Sequence, residues 1–454
     1  MHDSTHSRVP SSLQQGTASV THYRHAASIS FSRPFALSDS VARIVGTRFF
    51  RGWWVVLGVF LTLAVTAGLG FYNASVILQA ARVELDTSVS AVSGATALFF
   101  ATSGLVSFAA APLMDRIDVR WFYLAGGIVG SAALLGLRWV DSVVLLYCFF
   151  AIFGAGFALA GLVPGTAVVA RWFNIKRSVA LSIATTGLSV GGIAITPFAS
   201  RLIDDRTLSG AGPTMALAWL VGVIPIAMLL VRTSPLPLGL TPDGLPAAAP
   251  GSRSTMGATF LEARSTRFFI FLAITYALIF TAQVGALAQL FNVATERVDK
   301  ATAAAALSTM ALSSVVGRLI GGVLVTRISA LKMTGVLILS QAAALAFLAV
   351  ATTRPLLLLG SSLLGLSVGN LLMLQPLLLA DAFGVVEYSR IYSYSQLFGT
   401  AGVAAGPFLL GLVRDISSYE VAFLLGAVVN VLGLMTLLSA GSVETARATW
   451  SRTP

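Results

Sequence analysis

After a polar stretch of about 50 residues, the chain alternates between long apolar runs and short charged or turn-rich breaks as far as residue 441. A helix needs roughly 20 apolar residues to cross the ~30 Å hydrocarbon core of a bilayer. About twelve runs meet that length, at residues 52–74, 90–113, 121–139, 143–169, 178–199, 214–231, 268–291, 301–325, 333–351, 355–380, 391–413 and 420–441. Arg51 precedes the first, Asp141 the fourth, Arg232 follows the sixth and Arg414 the eleventh. Backbone amides find no water in lipid, so each run must close its own hydrogen bonds as a helix, and the two-residue alternation of a membrane barrel is missing. The pattern predicts an all-α membrane protein with about twelve transmembrane helices.

The Pro-, Gly- and Ala-rich stretch at 233–266 is too polar to span and divides six runs from six. The expected organisation is a disordered tail at 1–50, a six-helix bundle at 51–232, a linker at 233–266, a second six-helix bundle at 267–441 and a tail at 442–454. Two equal halves invite a test for an internal repeat. SGLVSFAAAPLMDRID from Ser103 aligns with SSVVGRLIGGVLVTRIS from Ser313 when Arg116 is set against Arg327, 211 residues later. ITPFAS at 195 and AGPFLL at 405 align in the same sense, which predicts two pseudo-symmetric bundles. Gly154, Gly156, Gly161 and Gly165, with Gly187, Gly191 and Gly192, supply close helix approach.

Composition strengthens the class: 56% hydrophobic and 10% charged residues would leave a water-soluble domain of 454 residues covered in apolar surface. The charge sets an orientation. Of the 29 Lys and Arg, 20 fall on the side that carries both termini, 8 on the other, and Arg318 within a run. Positive loops stay cytoplasmic, so both termini are expected there, in a multi-pass protein of the plasma membrane or, in a bacterium, the inner membrane. The same scatter of basic residues at membrane edges accounts for the net charge of +11 without a nucleic-acid partner. All four histidines lie in the first 50 residues and Cys148 stands alone in an apolar run, so there is no metal constellation. No nucleophile with a base and no phosphate-binding loop is present, so neither an enzyme nor a cofactor is expected.

One residue stands out. Arg318 sits inside the eighth run, eight residues or about 12 Å of helix from Thr326. A guanidinium there costs from ~3 to ~15 kcal/mol unless paired or hydrated. No Asp or Glu lies within a run to neutralise it, which leaves two readings: a side chain that snorkels to the interface, or one whose counter-ion is a bound anion. Candidate path residues beside it are Tyr72 and Asn73 on the first helix, Tyr276 and Gln283 on the seventh, Asn370 and Gln375 on the tenth, and Tyr394 and Gln396 on the eleventh. Each could equally bond a neighbouring helix for packing.

With the six-plus-six layout in place, RGWWVV at 51 and GLVPGTAVVARWFNIKRSVALSIATTGLSVGG from Gly161 resemble the major facilitator superfamily, most closely its monocarboxylate and oxalate/formate branch. That family carries a loop signature after its second helix. Asp115, Arg116 and Arg120 match it, Ala111 and Asp118 stand where its glycines would be, and the second-half loop has Thr326 in place of Asp beside Arg327. The resemblance implies that Asp115, Arg116, Arg120 and Arg327 gate the carrier and that Arg318 binds substrate. Ser314 occupies the position one turn before Arg318 where the branch commonly has an acid, and no lysine occurs in the eleventh run. A single fixed positive charge suits a monoanion. The expected function is secondary transport of a small organic anion, a monocarboxylate above all, by alternating access between two rocking halves, with the bilayer and a small molecule as partners and a monomer as the simplest assembly. Efflux of drug-like solutes and a non-transporting receptor or sensor are the alternatives.

Overall fold

The computed structural model describes residues 50–87, 89–244 and 257–450. The tail expected at 1–50, apart from Phe50, and its four histidines lie outside the described residues. Eleven helical stretches are long and apolar enough to cross a membrane. One of them, Arg177–Leu230, has 54 residues and would reach about 80 Å, far more than one bilayer. It is two crossings joined at Thr207, whose φ of 63° and ψ of 172° are not helical. Glycine packing fixes their opposite directions. Gly187 and Gly191 lie against the carbonyls of Phe60 and Ala64, rising with the first helix, whereas Gly222 meets Val65 and Gly58 meets Leu230, running against it.

The twelve helices are α1 (Gly52–Glu84), α2 (Val89–Met114), α3 (Arg120–Gly136), α4 (Val143–Trp172), α5 (177–206), α6 (208–230), α7 (Arg267–Arg297), α8 (Lys300–Leu324), α9 (Ala330–Val350), α10 (Arg354–Phe383), α11 (Tyr388–Ile416) and α12 (Tyr419–Ala440). Two depart from a regular α-helix. A π turn at Ala67–Tyr72 interrupts α1, and Gly161, with ψ of −142°, breaks α4 between Ala160 and Leu162.

The two halves repeat one packing scheme. In the first, Gly154 of α4 rests on the carbonyl of Phe99 in α2; in the second, Gly365 of α10 rests on that of Met310 in α8, both residues 211 positions on. Likewise α1 pairs with α5 at Gly191, and α7 with α11 at Gly402, whose missing Cβ leaves room for the carbonyl of Ala277. Residues this close to a neighbouring backbone can only be glycine.

The segments flanking the bundles are structured where described. Thr259 and Glu262 form a reciprocal cap on the short helix Phe260–Ser265, and the expected tail after 441 folds as the helix Val443–Trp450. Both dock on the end of α10. The carbonyl of Asp381 accepts from Arg447 Nε (2.5 Å), that of Ala382 from Trp450 Nε1 (3.0 Å) and that of Phe383 from Ala258 N (2.8 Å). These carbonyls have no helical partner, so the docking satisfies groups that would otherwise be orphaned.

Burial tells which ends are joined. On the face that carries both described chain ends, one apolar cluster mixes Met114, Val163, Ala167 and Ala170 of the first half with Phe269, Leu378 and Tyr392 of the second. The cluster around Leu290, Leu345 and Phe423 draws on the second half alone. The halves are therefore closed upon each other at the chain-end face.

Candidate functional site

Between the halves lies a cavity that, counted together with the solvent space it opens to, holds about 970 Å³ of empty space. Phe71 and Tyr72 of α1, Phe100, Ser103 and Ser107 of α2, and Phe157, Leu162 and Val163 of α4 supply one wall. Leu188 of α5, Phe280 and Gln283 of α7, Leu372 of α10, and Ser393, Gln396 and Thr400 of α11 supply the rest. The two helix irregularities explain part of this lining. A π turn spreads successive side chains by less than the 100° of an α-helix, which lets adjacent Phe71 and Tyr72 both reach the cavity. The break at Gly161 brings Leu162 and Val163 to its edge. None of the lining residues is acidic, basic or histidine.

Arg318 lies one layer behind the wall and is 1% exposed. Its Nε donates to the carbonyl of Gly369 on α10 (2.7 Å) and its Nη1 to that of Thr185 on α5, while its own carbonyl accepts from Ser182 Oγ (2.5 Å). Nη2 has no acceptor among the described residues. Gly369 is the neighbour that makes this possible, since a Cβ there would collide with the backbone of Ser314. No carboxylate among the described residues neutralises the guanidinium; Tyr72, which lines the cavity, is within its electrostatic reach. The side chain does not snorkel, because its hydrogen bonds run sideways to α5 and α10.

The other path candidates divide. Tyr72, Gln283 and Gln396 line the cavity, and the Oε1 atoms of both glutamines are buried without a partner. The other five are not among the cavity's lining residues and have contacts elsewhere. Asn73 points at Met215 of α6 (Nδ2 to Sδ 3.4 Å) and Tyr276 packs on Phe280 (centroids 5.6 Å apart). Asn370 bonds the carbonyl of Leu366 (2.9 Å) and Gln375 bonds Ser395 (3.0 Å). Tyr394 belongs to an aromatic cluster with Phe108, Phe260 and Phe269 that seals the chain-end face. Periodicity alone could not have separated these five from the three.

At that face the charged loops form two ties. Asp115 Oδ1 accepts from Arg171 Nη2 at the end of α4 (2.6 Å) and from the backbone N of Ser389 at the start of α11 (3.3 Å), across the interface between the halves. Burial raises the Asp115 carboxyl above its ordinary value despite Arg171, and its Oδ2 is buried without a partner. Arg177 of α5 pairs with Asp381 of α10 (3.1 Å), the second tie across the halves. Asp118 holds Arg120 (2.6 Å) and Thr233 (2.8 Å) within the first half; burial alone would raise its carboxyl, and those bonds together lower it. Arg116 and Arg327 are exposed. Sequence reasoning missed Arg171, Arg177 and Asp381. A signal existed, since all three are charges at the last or first turn of a helix on one face.

The family model described as Major Facilitator Superfamily matches residues 60–339 and 268–449. Monocarboxylate transporter 13 of Rattus norvegicus is 25% identical over 404 residues, covering 86% of this chain and 88% of the relative. Among solved structures, the Escherichia coli fucose:proton symporter FucP superimposes with a TM-score of 0.64 at 16% identity, covering 86% of this chain and 98% of its own. The human organic anion transporter MFSD10 does so with a TM-score of 0.64 at 14% identity, covering 85% and 99%.

Proposed function

The chain belongs to the major facilitator superfamily and is a multi-pass secondary transporter rather than an enzyme, and from that premise we propose that its cargo is a small organic monoanion, of the monocarboxylate class. The observation that carries this reading is Arg318: a buried guanidinium with no acidic partner and one nitrogen without an acceptor among the described residues, in electrostatic reach of Tyr72 on the wall of an uncharged cavity. Such a cation is costly when the site is empty and well placed when a carboxylate reaches it, because a charge-assisted bond forms in a dry surrounding. Tyr72 stands on the π turn of α1, an irregular segment in which the backbone can move as that contact forms. Release follows when the halves rock and the chain-end face, the cytoplasmic one by its positive charge, opens. The relative from rat carries monocarboxylate in its name, which agrees with this choice.

The test is uptake of labelled formate, lactate, pyruvate and oxalate into proteoliposomes, with wild type and Arg318→Ala, with and without a pH gradient and internal counter-substrate. Loss of monoanion flux by about a hundredfold or more is expected in the variant, in keeping with ~1.5 to 3 kcal/mol for a bond to a charged group plus the direct attraction. Unchanged flux would remove Arg318 from the site and reopen efflux of neutral or cationic solutes.

A further inference from the structure

Lactate or formate would touch little of this cavity. Its wall carries four phenylalanine rings, Phe71 and Phe100 from α1 and α2, Phe157 from α4 and Phe280 from α7. Phe71 meets Phe100 edge to face at 5.8 Å and Tyr72 at 5.0 Å, so the rings of the first half form a continuous aromatic surface. The backbone sets this surface: Gly70, within the π turn, packs directly on Phe157. Across the space, Gln283 and Gln396 offer amides whose Oε1 atoms have no partner among the described residues, although both residues line the cavity. A buried amide without a partner is a cost the empty site carries and a ligand's hydrogen-bonding group could relieve. The four rings thus offer an aromatic surface, the two glutamines offer hydrogen bonds, and Arg318 stands outside the lining in electrostatic reach of Tyr72.

Resting on the anion reading above, we infer that the cargo is an aryl-bearing monocarboxylate with a further hydrogen-bonding group: the ring lies among Phe71, Phe100, Phe157 and Phe280, the polar substituent meets Gln283 or Gln396, and the carboxylate meets Arg318. Ring pairs at 4.5–7 Å are favourable beyond the area they bury, and the apolar contact adds to that. A short acid such as lactate lacks the group that these four rings would hold.

Lactate, phenyllactate and phenyllactamide separate the parts, since the first two differ in the ring and the last two in the charge. Competition against labelled phenyllactate uptake in proteoliposomes should show phenyllactate about ten- to a hundredfold stronger than lactate, with phenyllactamide weak. Phe157→Ala, checked for monodispersity and backed by Phe157→Leu and Phe71→Leu, should narrow the phenyllactate-to-lactate ratio. Equal strength of lactate and phenyllactate, or a ratio unmoved by these variants, overturns the aromatic site and leaves the anion reading standing. Phenyllactamide as strong as phenyllactate, with a ratio that still narrows in the ring variants, keeps the aromatic site and removes the anion.

Discussion

The two six-helix halves share a framework and differ in charge. Where α2 meets α4 and α8 meets α10, the repeat holds: Gly154 on Phe99 returns as Gly365 on Met310, and Ser103 and Ala158, which line the cavity, return as Ser314 and Gly369 beside Arg318. The charged positions do not follow. At the place in α2 that corresponds to Arg318 stands Ser107, 211 residues earlier and also on the cavity wall. The ties at the chain-end face differ as well. The first half puts its acid after α2, as Asp115, and its base on α4, as Arg171; the second has Thr326 after α8 and carries the acid on α10, as Asp381, facing Arg177. Two similar halves can pivot about one axis, whereas an ion needs a site of one sign. Duplicated packing serves the first need, and unequal charges serve the second.

The sharpest way to break the comparison is through the packing it rests on. Gly154→Val and Gly365→Val each drive a branched side chain into a backbone carbonyl that cannot rotate away. Overpacking costs ~1 to 3 kcal/mol where side chains can yield, and more is expected here. Both variants should lose most of the monodisperse protein in detergent, and by similar amounts. Tolerance at one position and collapse at the other would show that the halves are equivalent in outline only.

A smaller effect is expected from making the charges equal. Ser107→Arg places a second guanidinium on the first half's wall of the cavity. Dicarboxylates such as oxalate should then gain on monocarboxylates by about tenfold or more in competition assays, the order of one charged hydrogen bond. If the preference does not move, the difference between Ser107 and Arg318 does not set the charge of the cargo.

How far all this could be read in the residues follows from what each kind of signal reports. Spans and the repeat were legible because hydrophobicity and small residues report on lipid and on helix contact, which are local demands. The turn between α5 and α6 was legible as well, for Asp204, Asp205 and Arg206 stand just before Thr207 in the break between the runs 178–199 and 214–231. Arg318 was legible because charge in a span has few explanations. Asn73, Tyr276, Asn370, Gln375 and Tyr394 were not separable from Tyr72, Gln283 and Gln396, since a polar residue that bonds the next helix and one that faces a cavity occupy the same kind of position. The direction of a side chain about its helix depends on neighbours far away in the chain, and at α1 it depends on a π turn that hydropathy does not register. Arg171 escaped for a related reason: its partner Asp115 is 56 residues away and joined to it only by packing.

The smallest expected effect concerns the ties. Burial holds the Asp115 carboxyl above its ordinary value while the loop after α2 is seated against Arg171 and the start of α11. If the halves part at the chain-end face, water reaches the carboxyl and its value falls back. The closed arrangement therefore binds a proton more tightly than the open one. Closure gains fully below the ordinary carboxylate value, and the gain is lost as pH rises through the raised one. Cys148 is the one cysteine in the chain, so Cys148→Ser with Ser107→Cys gives a single reporter on the cavity wall. Its labelling by a membrane-impermeant maleimide from the chain-end side, normalised at each pH to the same protein carrying Asp115→Asn, should slow as pH falls through that range. Burial also raises the carboxyl of Asp381, the acid of the other tie, against the pull of Arg177 and Arg447, but its side chain is more exposed than that of Asp115, at 34% against 8%. Asp381→Asn should accordingly remove less of the pH response than Asp115→Asn, and a response that vanished with Asp381 instead would move the proton-sensitive tie from the first half to the second.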